Sequence, residues 1–177
     1  MLDNGITVKN LAFNSVQGDK KTIDILSRFG AKIEINDNFA KISKGNLNGF
    51  EIDASDIPDL VPILCVLACN AKGKTTIKNA KRLRIKESDR IKTVVETISN
   101  LGGKIEETDD GMIVYNSKLK GGVVDSHNDH RIAMCAAIAS VLCENEVKIL
   151  NAESVEKSYP TFYNDFKSLN GNVKEEF

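Results

Sequence analysis

The sequence predicts a mixed α/β protein (α/β with α+β character) in which one helix-and-strand unit is repeated and the helices lie beneath their sheets. A helix that ends near a glycine before a strand recurs at residues 28–34, 100–106 and 168–174. Two further segments, residues 60–69 and 132–139, are apolar on nearly every side, which is typical of buried helices. Because buried helices need cover and alternating strands need a dry face, we expect sheets outside and helices inside.

The first copy of the unit begins with an amphipathic helix over residues 20–29. Two alternating strands then flank residues 36–38, where Asn and Asp favour a turn. A short strand at residues 50–52, the buried helix at 60–69 and a closing strand at 75–78 complete the copy.

The second copy has the same order. Residues 89–101 carry apolar side chains three and four positions apart, which indicates a helix with one buried face. The remaining elements are a hairpin turned at residues 108–111, a short strand at 123–125, a buried helix at 132–143 and a closing strand at 146–150. The third copy is partial, with a helix at 160–169 and a strand near Val173 before the sequence ends at Phe177. We expect a single domain, 1–177, with repeats at 14–79, 80–151 and 152–177.

Composition is that of an ordinary globular protein. Hydrophobic residues make up 41% of the 177 residues, charged residues 28%, and the formal net charge is −1. This balance gives no sign of a nucleic-acid partner. No apolar run reaches the roughly 18 residues of a membrane span, and the N-terminus lacks the apolar core of a signal peptide. We therefore expect a cytoplasmic protein that binds neither membrane nor nucleic acid.

The cysteines and histidines do not predict a metal site. Cys65, Cys69, Cys135 and Cys143 fall inside apolar helical runs, so we expect buried, reduced thiols. His127 and His130 are three residues apart, but no suitable third ligand is evident. His130, between an acid and an arginine, is a better candidate for hydrogen bonding within an anion site.

Charged residues are concentrated where helices begin. Short polar residues are the predicted caps: Asp56 for the first buried helix, Ser88–Asp89 for the helix at 89–101, and Asn128 or Asp129 for the second buried helix. Capping does not explain the cations Lys86, Arg90, Arg131 and Lys157 at helix starts. The helix dipole disfavours such a cation by a few tenths of a kcal/mol, so we expect a bound anion. For any single cation, including Arg82 and Arg84, a solvent-exposed face is the alternative.

Four motifs carry a resemblance to a known family. They are Ile57-Pro58-Asp59, the Arg-Ile-Lys-Glu-Ser-Asp-Arg run at residues 84–90, the Asn-Asp-His-Arg-Ile-Ala-Met run at 128–134, and Lys157-Ser158-Tyr159-Pro160. In order and spacing they resemble the C-terminal signatures of the EPSP (5-enolpyruvylshikimate-3-phosphate) synthase family. The resemblance covers nearly the whole chain. It implies one lobe of the enolpyruvyl transferase fold, built from repeated βαβαββ units, with the active site between two lobes.

The resemblance also implies an activity. Family members transfer the enolpyruvyl group of phosphoenolpyruvate (PEP) to the 5-hydroxyl of shikimate 3-phosphate and release phosphate. The reaction belongs to the shikimate pathway of aromatic amino acid biosynthesis. It needs no cofactor, and the inhibitor glyphosate competes with PEP. The expected partners are therefore the two small-molecule substrates and the missing N-terminal lobe.

The family's functional residues match positions in the four motifs. Asp59 resembles the residue that holds the 5-hydroxyl and takes its proton, Lys86 resembles a contact to the shikimate phosphate, and Glu87 resembles the carboxyl group that handles the proton at the methylene carbon of PEP. Arg90, Arg131 and Lys157 resemble the clamp on the carboxylate and phosphate of PEP. Two carboxyl groups in different surroundings suit a reaction with two proton transfers. Arg82 stands where some members have an asparagine, so its role is left open.

Family members are more than twice as long as this chain. Their other lobe contributes substrate-binding residues, and the N-terminal strands of the full chain complete the third repeat. We therefore expect the isolated chain to fold but to be inactive.

Two alternatives stay open. The sister transferase that acts on UDP-N-acetylglucosamine shares the fold and reaction class, but uses a cysteine in the opposite lobe and lacks the Lys-Glu-Ser-Asp-Arg pattern. A noncatalytic anion-binding module would need the charged helix starts but not Asp59 together with Glu87. Titration with shikimate 3-phosphate against UDP-N-acetylglucosamine separates these possibilities.

Overall fold

Helices and strands alternate along residues 5–175, the part of the chain that the computed structural model describes. The strands are β1 Ile6–Lys9, β2 Lys32–Asn36, β3 Phe39–Ser43, β4 Glu51–Asp53, β5 Lys74–Lys78, β6 Lys104–Thr108, β7 Gly111–Tyr115, β8 Gly122–Asp125 and β9 Val147–Leu150. The α-helices are α1 Thr22–Phe29, α2 Val61–Cys69, α3 Arg90–Asn100, α4 His130–Ser140 and α5 Phe162–Ser168. Short 3₁₀ turns precede α1, α2, α3 and α5 at Gly18–Lys21, Pro58–Leu60, Lys81–Ile85 and Ala152–Lys157.

The strands form three sheets, and the largest is shared between the two complete copies of the unit. Its order is β4-β5-β7-β6, with β4 and β5 parallel and the other pairs antiparallel. The hairpin of the second copy therefore completes the sheet that the first copy begins. The other sheets are the antiparallel β1-β3-β2 and the parallel pair β8-β9.

Two details differ from the strands expected from sequence. β1 lies before the first predicted repeat, yet it pairs with β3 as β5 pairs with β7. The strand expected near Val173 is wrong for the described residues, because 171–175 form no strand; residues 176 and 177 lie outside the described part. A single extended segment with no hairpin partner has nothing to complete its backbone hydrogen bonds.

The predicted buried helices are confirmed as the centre of the core. Pro62, Leu64 and Cys65 of α2 and Ile132 and Ala136 of α4 are buried, and α2 packs against α3, α4, β5 and β7. The two helices touch where the Cys135 thiol donates to the Pro62 carbonyl at 3.2 Å. Ile138 and Val141 reach solvent at the end of α4, but neither helix has a broad exposed side.

The cap prediction for the first buried helix is wrong. Its 3₁₀ turn begins after Ile57, and Asp56 forms a surface ion pair with Lys21 at 2.9 Å instead of a cap. Cys65, Cys69 and Cys135 lie buried in helices as expected, whereas Cys143 follows the end of α4 and is only partly buried. All four are free thiols. Burial raises the pKa of Cys69 to about 11 and that of Cys135 to about 12, so these thiols are poor nucleophiles.

Within residues 5–175, no helix is long and apolar enough to cross a bilayer.

We expect the substitution Ile132→Ala to lower the free energy of unfolding by about 2–5 kcal/mol, because the side chain is fully buried between α4 and its neighbours. Ile138→Ala on the same helix is the matched control, because that side chain is 37% exposed. Its expected loss is about 1 kcal/mol or less. Urea unfolding of both variants tests this difference, and equal losses would contradict a core centred on α2 and α4.

Candidate anion-binding site

The four sequence motifs meet at the N-terminal ends of α2, α3 and α4. Asp59 lies in the 3₁₀ turn that leads into α2, and Glu87 lies in the loop before α3. Arg90 is the first residue of α3, and Arg131 is the second residue of α4. These residues lie in or directly after the segments that connect β4 to α2, β5 to α3 and β8 to α4. The three connections lie at the same edge of the core, which brings the charged residues together.

Arg90 is at the centre of the cluster and is only 1% exposed. Its Nε donates to Asp129 at 2.8 Å, and its Nη2 donates to the other Asp129 oxygen at 3.2 Å. Its Nη1 donates to Asp59 at 2.7 Å, and Nη2 also donates to Glu87 at 2.6 Å. A buried guanidinium with three carboxylate partners is fully ionised and held in one orientation.

Asp59 connects three cations from three segments. Besides Arg90, its carboxylate lies 3.3 Å from Lys86 Nζ and 3.4 Å from Arg131 Nη2, and its carbonyl accepts from Arg131 Nη1 at 3.1 Å. Partial burial opposes ionisation of Asp59, but the charges of Arg131, Lys86 and Arg90 outweigh it and hold the pKa below its usual range. Asp59 is therefore a carboxylate at neutral pH.

Asp129 is the residue whose role the sequence did not reveal. It was predicted only as a possible cap, and it does cap α4, since its carboxylate accepts from the Arg131 backbone N–H at 2.9 Å. The same carboxylate also accepts from Arg90 and from the Ser88 hydroxyl, at 2.9 Å for the hydroxyl. Burial raises the pKa of Asp129, but hydrogen bonds and charge from Arg90 outweigh burial and lower it overall. The available signal was an acid two residues before Arg131, and helix capping accounts for an acid at that position.

Ser88 and Asp89 were predicted together as the cap of α3, but only Asp89 caps this helix. Asp89 caps α3 through the Lys92 N–H at 3.2 Å, whereas Ser88 turns toward Asp129. Asp89 also pairs with Arg84 at 3.2 Å, and Arg84 binds Glu107 at 2.7 Å. The carboxylates of Asp89 and Glu107 thus hold Arg84, and this pairing connects the loop before α3 to β6. Arg82 is exposed on the 3₁₀ turn.

Lys157 and His130 lie at the edge of the cluster. Lys157 Nζ donates to the Asn128 carbonyl at 2.6 Å, which places it beside the start of α4. His127 and Asn128 adopt positive φ values of 51° and 58°, and this turn presents that carbonyl. His130 is buried, and its Nδ1 has no hydrogen-bond partner among the described residues. Burial is the largest cause that lowers the pKa of His130, so the ring is neutral at pH 7.

The cluster combines four cations, Lys86, Arg90, Arg131 and Lys157, with three carboxylates, Asp59, Glu87 and Asp129. Asp59 and Glu87 are 32% and 45% exposed, whereas Arg90 is 1% exposed, so the two carboxylates lie on the open side of the cluster and cover the guanidinium of Arg90. An anionic ligand that binds here has to compete with these carboxylates for the cations. Among the described residues, no group of His, Cys, Asp and Glu is arranged to hold a metal ion.

A comparison of the sequence with protein-family models decides the family. The model for EPSP synthase (3-phosphoshikimate 1-carboxyvinyltransferase) matches residues 1–166. The chain belongs to the EPSP synthase family. Similar curated relatives include the 3-phosphoshikimate 1-carboxyvinyltransferase of Clostridium novyi, 47% identical over 176 residues, and that of Methanococcus maripaludis, 42% identical over 176 residues. These alignments cover 99% and 98% of this chain but only 40% and 41% of the relatives.

Solved structures agree with this membership. An EPSP synthase from Acinetobacter baumannii superposes with a TM-score of 0.83 at 26% identity, covering 93% of this chain and 42% of that one. The enolpyruvyl transferase NikO from Streptomyces tendae superposes with a TM-score of 0.77 at 17% identity, covering 97% of this chain and 40% of that one. At that identity the second likeness concerns the fold alone. The expected enolpyruvyl transferase fold is confirmed.

We expect Asp59→Asn to lower the free energy of unfolding of this chain by about 1 kcal/mol at pH 7, because three cations lose a shared counter-ion. The folded-state pKa of Asp59 lies below its ordinary value of 3.8, so its contribution is complete above that value. It is lost as the pH falls through the folded pKa. The stability gap between wild type and variant should therefore close below pH 3.8.

Urea unfolding from pH 7 to pH 2 measures this gap. Asp56→Asn is the neutral-pH control, because Asp56 pairs with Lys21 at the surface with 69% of its side chain exposed. Its expected effect is about 0.5 kcal/mol or less. A gap for Asp59→Asn that stays constant down to pH 2 would contradict the ion cluster.

Proposed function

We propose that this chain is the part of an EPSP synthase that binds PEP and supplies two carboxyl groups for proton transfer. The complete enzyme would transfer the enolpyruvyl group of PEP to the 5-hydroxyl of shikimate 3-phosphate. Family membership supports this proposal. The observation that carries the proposal is the position of the Asp59 carboxylate. It lies 2.7 Å from Arg90 and 3.3 Å from Lys86, both in one motif, and 3.4 Å from Arg131 in another.

The cations suit the charge and shape of PEP. Arg90 and Arg131 have planar guanidinium groups, which bind carboxylate and phosphate oxygens through paired N–H donors. Lys157 adds an ammonium group beside the start of α4, where it donates to the Asn128 carbonyl at 2.6 Å. Lys86, whose Nζ lies 3.3 Å from the Asp59 carboxylate, is available to the phosphate of shikimate 3-phosphate. The helix N-termini add free backbone N–H groups to the same edge.

Asp59 and Glu87 suit the two proton transfers of the reaction. In the addition step, the 5-hydroxyl oxygen bonds to C2 of PEP, the hydroxyl proton leaves, and the methylene carbon gains a proton. In the elimination step, the bond from C2 to the phosphate oxygen breaks, phosphate departs, and the methyl carbon gives up a proton. Asp59 is ionised and can accept the hydroxyl proton. Glu87 is more exposed and is bound by Arg90 at one oxygen, which supports our assignment of the proton exchange at carbon to this residue.

The other expectations from sequence become part of the same proposal. The substrates are PEP and shikimate 3-phosphate, and a second lobe closes the site. Glyphosate competes with PEP for the cations, and the enzyme works in the cytoplasm. Titration of the complete enzyme with shikimate 3-phosphate and with UDP-N-acetylglucosamine separates this reaction from that of the sister transferase. A noncatalytic anion-binding module would bind phosphate but turn over neither substrate.

We expect Glu87→Gln in the complete enzyme to lower kcat by about 10²-fold or more and to change the KM for shikimate 3-phosphate far less. A group that moves a proton acts mainly in the transition state. Glu107→Gln is the matched control: Glu107 is 41% exposed and binds Arg84 at 2.7 Å, whereas Glu87 is 45% exposed and binds Arg90 at 2.6 Å. Steady-state kinetics on both variants is the measurement. An unchanged kcat in Glu87→Gln would remove this residue from the chemistry.

We expect the isolated chain to show no transferase activity, because one lobe alone cannot exclude water or align the 5-hydroxyl with PEP. Such alignment is worth about 7–11 kcal/mol of the barrier. The positive control is a chimera in which this chain replaces the matching segment of the Clostridium novyi relative, which is 47% identical to it. Phosphate release from the two substrates should occur with the chimera only. Robust release by the isolated chain would contradict the two-lobe site.

A further inference from the structure

Asp129 has more contacts than a helix cap requires. Its side chain is fully buried, yet it is ionised and accepts hydrogen bonds from Arg90, Ser88 and the Arg131 backbone. These donors come from the loop before α3, from α3 and from α4. We propose that Asp129 is a positioning residue for the transferase reaction, which aims Arg90 at PEP and fixes it relative to Arg131. This inference rests on the function proposed above.

The two edges of the Arg90 guanidinium have different partners. Asp129 binds the inner edge through Nε at 2.8 Å and Nη2 at 3.2 Å, with both of its oxygens. The outer edge, formed by Nη1 and Nη2, faces Asp59 and Glu87, which are partly exposed. A carboxylate on the inner edge fixes the plane of the guanidinium and leaves the outer edge for an exchangeable partner. Asp129 therefore does not compete with a ligand, whereas Asp59 and Glu87 do.

The same carboxylate determines where α4 begins. Its hydrogen bond to the Arg131 N–H holds the first turn of α4, and so the Arg131 side chain, at a fixed distance from Arg90. The Ser88 hydroxyl donates to the other Asp129 oxygen, Oδ2, and also lies 3.2 Å from Thr93 Oγ1 in α3. One buried group thus sets the spacing of two guanidinium groups that act on one substrate.

The first test uses the chimera with the Clostridium novyi relative and the substitution Asp129→Asn. We expect the KM for PEP to rise about tenfold or more, because a misdirected guanidinium loses its paired contacts, while the KM for shikimate 3-phosphate changes less than about threefold. The matched control is Asp89→Asn. Asp89 caps α3 as Asp129 caps α4, but its charged partner is Arg84 rather than Arg90. The control should leave both KM values unchanged. Equal rises in both KM values for Asp129→Asn would overturn the proposal.

A double substitution covers the case in which Asp129→Asn does not fold, since it leaves Arg90 buried without its main partner. Arg90→Gln combined with Asp129→Asn replaces both charges by amides of similar shape. The side-chain oxygen of the introduced asparagine can still accept from the Arg131 N–H, so Asp129→Asn removes the charge facing Arg90 and keeps the helix cap. If the charge of Asp129 acts through Arg90, the double variant should have the same KM for PEP as Arg90→Gln alone. A further rise in the double variant would show that Asp129 acts by another route and would overturn the proposal.

The second test needs no turnover and uses the 177-residue chain itself. In ¹⁵N NMR spectra, the Arg90 Nε–H should give a signal protected from exchange with water, because it is buried and bound to Asp129. The signal should disappear in Asp129→Asn and persist in Asp89→Asn. If it persists in Asp129→Asn, the positioning role is wrong. An inactive wild-type chimera with the expected NMR result would instead count against the proposed function, so the two failures are distinguishable.

Discussion

The rest of the site depends on the burial of one positive charge at the start of α3. Removing a guanidinium from water costs several kcal/mol unless carboxylates replace the water. Arg90 meets this requirement with Asp59, Glu87 and Asp129, which come from the segments before α2, α3 and α4. The requirement therefore links three segments that are far apart in sequence. It also explains why acids and bases are so dense at helix starts, where capping alone would need one short polar residue each.

This pairing changes how anion binding at the site should be understood. The sequence suggested that the cations at the helix starts have no protein counter-ion and bind an anionic ligand. In the structure, most of these cations pair with carboxylates. Under the proposed function, a substrate anion would therefore displace Asp59 and Glu87 from these cations rather than enter an unpaired pocket. Exchange also links binding to the acid–base groups, because a carboxylate that loses its cation partners becomes a stronger base. In the proposed reaction, the arrival of PEP would prepare these carboxyl groups for proton transfer.

Much of the fold could be predicted from sequence because its signals are local. The apolar runs of α2 and α4, the one-sided pattern of α3 and the turns of the two hairpins each follow from side-chain periodicity or turn chemistry. Neither the pairing of β1 with β3 nor the sheet shared between the two copies could be predicted, because the pairing of distant strands leaves no local sequence pattern. The site showed the same limit. Charged residues at helix starts were visible, but the pairing of Asp129 with Arg90 spans 39 residues and becomes apparent only in three dimensions.

The sheet shared by the two copies has a consequence for folding during synthesis. β5 is complete at Lys78, but its antiparallel partner β7 ends at Tyr115, 37 residues later. At a translation rate of about 5–20 residues per second, the open side of β5 waits roughly 2–7 s for its partner. The first half of the chain thus leaves the ribosome with an unpaired strand edge above an apolar helix. The boundaries of the sequence repeat and of the cooperative folding unit therefore differ by one hairpin. The sheet of the first copy is complete only when the hairpin of the second copy has been synthesised and has paired with it.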